Sequence, residues 1–561
     1  MGYLDIIFGK PKTDPKSPDS PVEGGNIPPL PLRQIIDGER RASLLKLESY
    51  LRGTQHDHKR FDWDGRIMFQ GGELDAQVDA YISVKRRKPC ISLRLGKIIV
   101  KRLTTMLFGH DRFPSLTVEG DPDAQEYVRE LMRVAKLRTK MFEARNKGGA
   151  CGTIFLSYGY VEGKPIIEVH SPGLIDVLEW RDYAGRIPSK VLKAYDYQSR
   201  VFEKGTSKKV NLWRVKYWDE TIEQTWEDIP DEVAATPLWT SWRSTVIQHG
   251  AGKCPVLLVQ NDPNSEEVDG NSDFDGQMND FDELDRLASA TQKGTAANVD
   301  PTVVIHDHKG KDETFVRKGT GTVIYSPSGA NYMEISGSSV DAAKSWMREI
   351  KQNELDEAEV VLLDPDKLSG SGVSAASLRV RFAPMLAKCD ILRDQYGEAI
   401  VEVMKALLEQ ARQGGVELDP IIEEKDVNDS EGNPILDEEG KPRKVIIEKP
   451  RIPGKSSRVS LKWPPYFPAT WEDRKIGIES VKLATGGKSV LSRETALGLL
   501  ASMLDIEDVD AELDRIDEDA EAASEKARSI FGPPGGLPPE THEIPPTTPP
   551  VEPPIPNASQ R

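Results

Sequence analysis

Apolar side chains recur at helical spacing over two long stretches in the second half of the chain. In the first, residues 338–362, Ala343, Trp346, Met347 and Ile350 stand at i, i+3, i+4 and i+7 and so share one face. The pattern predicts one helix of about 25 residues, about 37 Å at 1.5 Å per residue. Lys344, Arg348 and Lys351 repeat the same spacing on a neighbouring face. A break follows, first Asp364-Pro365-Asp366 and then Ser369-Gly370-Ser371-Gly372. Beyond Ser374 the helical pattern resumes through Met385, Cys389, Leu392, Tyr396, Ala399, Val403 and Leu407, and Gly414-Gly415 closes it. Pro384 falls inside this run, where it removes an amide donor and clashes one turn back, so a kink is expected there. Two long helices joined by a glycine-serine loop suggest a moving part on a rigid frame, with Pro365 and Pro384 as its hinges.

The first half has a different texture. Helices are predicted at Asp37–Arg52, Ile91–Phe108 and Asp121–Lys147, the last ending at Gly148-Gly149. Short alternating runs then predict strands at Thr153–Tyr160, Ile166–His170, Val191–Tyr197, Leu212–Trp218 and Thr221–Trp226. This half is α+β. From Asn271, Phe274, Met278, Phe281, Leu284 and Leu287 mark another helical face that continues to about Ala297. Strand-like pieces within residues 299–337, among them a run at 313–319, form a small β insertion between two helices able to lie antiparallel.

Residues 416–456 are highly charged with turn signals at Glu431-Gly432-Asn433-Pro434 and Glu439-Gly440, the pattern of an exposed hairpin or a partly disordered insertion. One more strand is expected in residues 457–463. Thr470-Trp471-Glu472-Asp473 has capping-box spacing and opens a helix ending near Gly486-Gly487; further helices begin at Leu491 and Val509. Residues 11–32 and 532–561 are proline-rich with little to bury.

Composition narrows the functional classes. With 91 acidic against 74 basic residues the net charge is −17, which argues against an ordinary tight nucleic-acid binder yet allows a surface that nucleic acid slides past. No apolar run approaches a membrane span and no secretory signal is read at the start. Cys90, Cys151, Cys254 and Cys389 are scattered, as expected of buried thiols in a reducing compartment. The basic run Lys85-Arg86-Arg87-Lys88 reads first as a solvated cluster.

Candidate chemistry is sparse. Gly486-Gly487-Lys488-Ser489 resembles the end of a phosphate loop, but Lys482 stands where the motif needs glycine and a helix precedes it, so a helix C-cap is the better reading. His56-Asp57-His58 and His306-Asp307-His308 are the two places where a metal pair could form; with eight histidines in all and no further ligand at regular spacing, both are read as surface features. No nucleophile elbow is present. No catalytic residue, metal or cofactor is assigned.

The order of elements resembles the portal proteins of tailed bacteriophages, particularly those of long-tailed phages. The residues that carry it are SDFDGQMNDFDELDRLAS, the β insertion, SSVDAAKSWMREIKQNEL, LSGSGVSAASLRVRFAPMLAKCD and KIGIESVKLATGGKSVLSRETALGLL. The resemblance covers about residues 35–530 and implies a ring of about twelve subunits at one capsid vertex, through which double-stranded DNA enters and leaves. By position it implies an α+β portal fold. Its parts are an N-terminal arm (1–34), a wing (35–260), a first stem helix (261–298), a small α/β clip (299–337) and a second stem helix (338–362). A tunnel loop (363–376), a long kinked wing helix (377–415), a charged hairpin with a strand returning to the wing (416–469), a helical crown (470–530) and a proline-rich tail (531–561) follow. Lys344, Arg348, Lys351, Ser369, Gly370, Ser371, Gly372 and Ser374 would face the channel. The implied partners are the terminase large subunit, a head-completion adaptor, and the major capsid and scaffolding proteins, with no membrane. The implied location is the virion, after assembly in the host cytoplasm. Another oligomeric virion component without a channel, and a nuclease using one His-Asp-His triplet, are the competing readings.

Overall fold

The computed structural model describes residues 27–66, 81–109, 112–203, 206–299, 303–306, 323–325, 329–332, 337–362, 375–426, 444–467, 471–485, 492–504, 509, 512–519 and 521–522. The chain is α+β, as its patterning predicts, and divides into two compact units, residues 1–467 and 468–561.

In the first unit, α1 (Gly38–Arg52) starts where the Asp37 carboxylate accepts from the Arg40 amide, and α2 (Leu95–Phe108) follows. The segment Ile91–Arg94, expected as helix, lies outside α2, because Arg94 takes a left-handed backbone (φ 52°) immediately before it. After β1 (Ser115–Val118) the predicted helix 121–147 is two helices, α3 (Pro122–Val134) and α4 (Leu137–Cys151), broken by Lys136 at φ 52°. Gly148 and Gly149 do not end the second of these; they sit within it.

Strands β2 (Thr153–Val161), β3 (Lys164–His170), β4 (Ile175–Asp182), β5 (Ile187–Glu203), β6 (Thr206–Trp218), β7 (Ile222–Trp226), β8 (Ile229–Pro230), β9 (Ser244–Gln248) and β10 (Val256–Gln260) come next. They form a three-stranded sheet ordered β10-β2-β3 and a larger antiparallel sheet ordered β4-β5-β6-β7-β9, with β8 pairing β6. Of these, β4, β8, β9 and β10 carry no clean alternation and escape a reading by pattern.

The helix α5 (Met278–Val299) begins seven residues after Asn271, where the apolar pattern starts. Strands β11 (Val303–His306), β12 (Val323–Tyr325) and β13 (Gly329–Tyr332) make a sheet ordered β12-β11-β13. Residues 313–319 lie outside the described residues. Helix α6 (Gly337–Glu357) stops five residues short of the expectation, at the left-handed Glu359 (φ 58°), and Val360–Leu362 are non-helical. The Gln277 amide, beside the start of α5, donates to the Glu354 carbonyl near the end of α6 (3.1 Å), so the two helices run antiparallel with their far ends joined by the β insertion.

Pro384 produces a break rather than a bend inside one helix. α7 (Ala375–Arg381) stops, Phe382 leaves helical geometry (φ −96°, ψ 5°), and α8 (Ala383–Gly414) restarts with Pro384 in its first turn, where its missing amide is not needed. All seven residues of the predicted face, Met385 to Leu407, are buried, and left-handed Gly415 (φ 59°) caps the C-terminus. This helix is the spine of the largest core, which packs against α3, α4, β2 and β3. The charged segment 416–456 forms the expected hairpin, β14 (Leu418–Asp426) with β15 (Lys444–Arg451); β16 (Val459–Lys462) returns to pair β1. In the second unit, α9 (Trp471–Thr485) and α10 (Arg493–Leu504) follow, the latter capped by the Ser492 hydroxyl accepting from the Thr495 amide (3.1 Å). No helix among the described residues is long and apolar enough to cross a membrane.

Candidate functional site

The site that sequence points to is built on the α5–α6 pair. Its root is held by two buried polar networks. In one, Arg145 on α4 makes a two-pronged ion pair with Asp273 (2.9 and 3.0 Å), both side chains fully buried. Asn261 donates to the same carboxylate (2.9 Å) and Tyr396 on α8 hydrogen-bonds Asn261 (3.4 Å). The approach needs glycine: a Cβ on Gly148 would lie 2.3 Å from the Tyr396 hydroxyl, and one on Gly149 1.9 Å from an Arg145 nitrogen. In the other, Asp285 on α5 accepts from the Leu93 amide (2.7 Å) and from Gln55 (3.2 Å), and pairs with His56 Nε2 (2.9 Å). The segment leading into α5 is thus tied to α4 and α8, and α5 itself to the stretches that follow α1 and precede α2. Beyond Ser289 it is mostly exposed.

Helix α6 is open over a longer reach. Ala343, Met347 and Ile350 form its half-buried strip, continued by buried Glu354 and Leu355. Trp346, placed on that strip by spacing, is instead 55% exposed, because none of the described residues covers that flank. Lys344, Arg348 and Lys351 are all exposed on one face, as the spacing predicts. Lys344 makes a long contact to Asp341 (3.8 Å), and the other two have no acid within pairing distance among the described residues. Pro365 and the loop residues Ser369, Gly370, Ser371, Gly372 and Ser374 lie outside the described residues.

At the base of this pair sits an acid that sequence reading missed. Glu354 is 6% exposed, and its Oε2 has no hydrogen-bond partner among the described residues, as is true of Gln277 Oε1. Burial, reinforced by Asp280 and Glu357, pushes its carboxyl up to about 7. An unfolded glutamate titrates near ~4.3. Between these values the folded chain binds more protons than the unfolded one, so stability falls as pH rises through that window and the loss is complete above about 7. Glu354→Gln is therefore expected to leave stability unchanged near pH 4 and to raise it on the order of 1–2 kcal/mol at pH 8. Urea unfolding at the two pH values reads this directly.

His56, expected on the surface, is buried against Asp285, while Asp57 pairs with Lys88 (2.5 Å) and His58 is exposed, so the triplet does not converge. Of the second triplet only His306 is described, as backbone of β11; Asp307 and His308 lie outside the described residues. No group of three metal-ligating side chains occurs among the described residues. Ser157, His170 and Lys193 resemble a hydrolytic set, with Ser157 Oγ 2.7 Å from His170 Nε2 and Lys193 Nζ 3.1 Å from Nδ1. The direction is wrong for catalysis. As an ammonium Lys193 can only donate to Nδ1, which puts the ring proton on Nε2 facing the serine, so in that state Nε2 has no lone pair to activate it. Burial, with Lys193 and Lys216 beside it, pushes His170 down to about 2. In the basic run, Arg87 donates to the Ile82 and Trp63 carbonyls (2.8 and 3.1 Å), while Lys85 and Arg86 are exposed. Cys151, Cys254 and Cys389 are buried thiols; Cys90, expected buried, is exposed. Phosphate-loop-like Gly486–Ser489 lies outside the described residues and follows helix α9. No protein-family model and no curated protein matches this chain.

Proposed function

We propose that this chain is a tailed-bacteriophage portal protein, a ring of about twelve copies whose axial channel passes double-stranded DNA during packaging and ejection. The observation that carries the reading is the antiparallel α5–α6 pair: anchored at one end by two buried networks, exposed along much of its described length beyond them, and carrying a β module at its far end. A stem built this way has flanks that only neighbouring copies could cover, and exposed Trp346 is such a flank. In this reading 35–260 is wing, 299–337 clip and 470–530 crown. The clip docks the terminase and later a head-completion adaptor, the capsid and scaffolding proteins surround the ring, and ATP hydrolysis belongs to the partner. The location is the virion.

The charge pattern suits sliding. A chain of net −17 repels phosphates, and three cations on one helix face give shallow, salt-screened attraction rather than capture. Replacing Lys344, Arg348 and Lys351 together by alanine is expected to keep the ring intact and to change DNA packaging or retention several-fold; a ring that falls apart would assign them to assembly instead. The reading itself is tested by native mass spectrometry with electron-microscope class averages. About twelve copies of the 62.4 kDa chain give roughly 750 kDa and an axial hole. A compact dimer or tetramer without a channel overturns it and favours a virion component of another kind.

A further inference from the structure

The largest sheet carries an appendage. β5 pairs β4 only over Ile187–Lys193, and β6 meets β7 and β8 only at Lys216–Trp218 and Leu212–Trp213, yet β5 and β6 pair with each other out to Glu203–Thr206. From Gln198↔Asn211 outward neither edge has a strand partner among the described residues, leaving a two-stranded ribbon about 20 Å long at ~3.3 Å per residue. An isolated ribbon of this kind is marginally stable in water.

Its charge arrangement worsens that. Arg200 stands directly opposite Lys209, so two exposed cations share one face of the ribbon, flanked by exposed Gln198 and Asn211. Like charges in directly opposed positions destabilise a strand pair. Neither cation has an acid within pairing distance among the described residues, and the sequence from 198 to 211 adds Lys204 and Lys208 against a single acid, Glu203. The remainder of the chain is more acidic than its net −17, since the ribbon's own cations are included in that figure. A basic arm with open edges, carried by an acidic molecule, is complementary to another copy of that molecule.

We infer that the β5–β6 ribbon beyond Tyr197 is a docking arm whose partner is the acidic surface of a second copy of this chain. This deepens the ring reading by naming a contact between neighbours. It also separates association from folding. Arg200→Glu places an acid opposite Lys209, so the free chain should be as stable as the parent or more so, with slower amide exchange in residues 198–211. Self-association should weaken by at least tenfold, and the parent's association should weaken between about 50 and 500 mM NaCl.

Sedimentation and native mass spectrometry of the full chain and of Arg200→Glu decide the matter. A parent that forms rings while Arg200→Glu does not supports the arm. Rings of both with equal midpoints overturn the arm and leave the portal reading standing. A salt-sensitive parent dimer lost in Arg200→Glu supports the arm and overturns the ring. Loss of DNA retention alone, with assembly intact, assigns the ribbon to nucleic acid and overturns the second-copy partner, as does a parent that never associates. Should Arg200→Glu fail to fold, the neutral pair Arg200→Gln with Lys209→Gln is read in the same way.

Discussion

Asp273→Ala is expected to destabilise the first unit by about 3–5 kcal/mol, the usual consequence of stripping one partner from a buried ion pair. Arg145 and Asp273 are both fully buried. Removing the carboxylate leaves a guanidinium with no counter-charge and reduces the Asn261 side-chain amide to one long bond, to the Asn271 carbonyl (3.4 Å). The Tyr396 ring, 5.8 Å from the guanidinium carbon, offers weak compensation. Asp273 also anchors the backbone before α5, its amide donating to the Gly149 carbonyl (2.8 Å), so the root of the helix pair should loosen first. Urea unfolding gives the loss, and amide exchange over residues 273–285 shows whether it begins there. Adding Arg145→Met should return part of it, because an apolar pair avoids the unpaired charge. A double variant no better than the single would mean that packing around Asp273, rather than charge, sets the cost.

Gly152→Ala should cost about 2–4 kcal/mol, from two penalties that act together. The residue has φ 77°, a left-handed backbone that alanine adopts at a cost, and a Cβ there would lie 1.9 Å from the Gly270 carbonyl oxygen. The obstacle is backbone, which cannot rotate away. The chain facing it is held too, the Gly270 amide donating to Thr153 Oγ1 (2.9 Å) and the Asn261 amide to the Gly152 carbonyl (2.8 Å). Since this crossing joins α4 and β2 to the loop that leads into α5, the variant should lower the urea midpoint without changing the slope. Gly163→Ala, at φ 75° with open space around it, is the control and should lose only the backbone penalty of about 1 kcal/mol.

Where one physical rule dominated, the sequence was enough. The seven-residue apolar face of α8, the strands β2 and β3, the charged hairpin and the antiparallel α5–α6 pair all follow from periodicity and turn residues, because burying one face demands that spacing. The cationic face of α6 was legible for the same reason. The breaks at Lys136 and Arg94 were not. Neither residue is a glycine or a proline, and each takes a left-handed backbone that no local signal marks.

Burial depends on neighbours distant in the chain, and this is what only the tertiary structure decided. Trp346 and Met347 are adjacent and equally apolar in sequence, yet one is exposed and the other half-buried. His56 is drawn inside by Asp285, 229 residues away, and Arg145 by Asp273, 128 residues away. Burial, with Asp280 and Glu357 beside it, pushes Glu354 up to about 7, and Asp280 lies 74 residues away in sequence. Periodicity records which face a segment must hide. Which charges are hidden with it, and which apolar groups stay uncovered, is settled only when the faces meet.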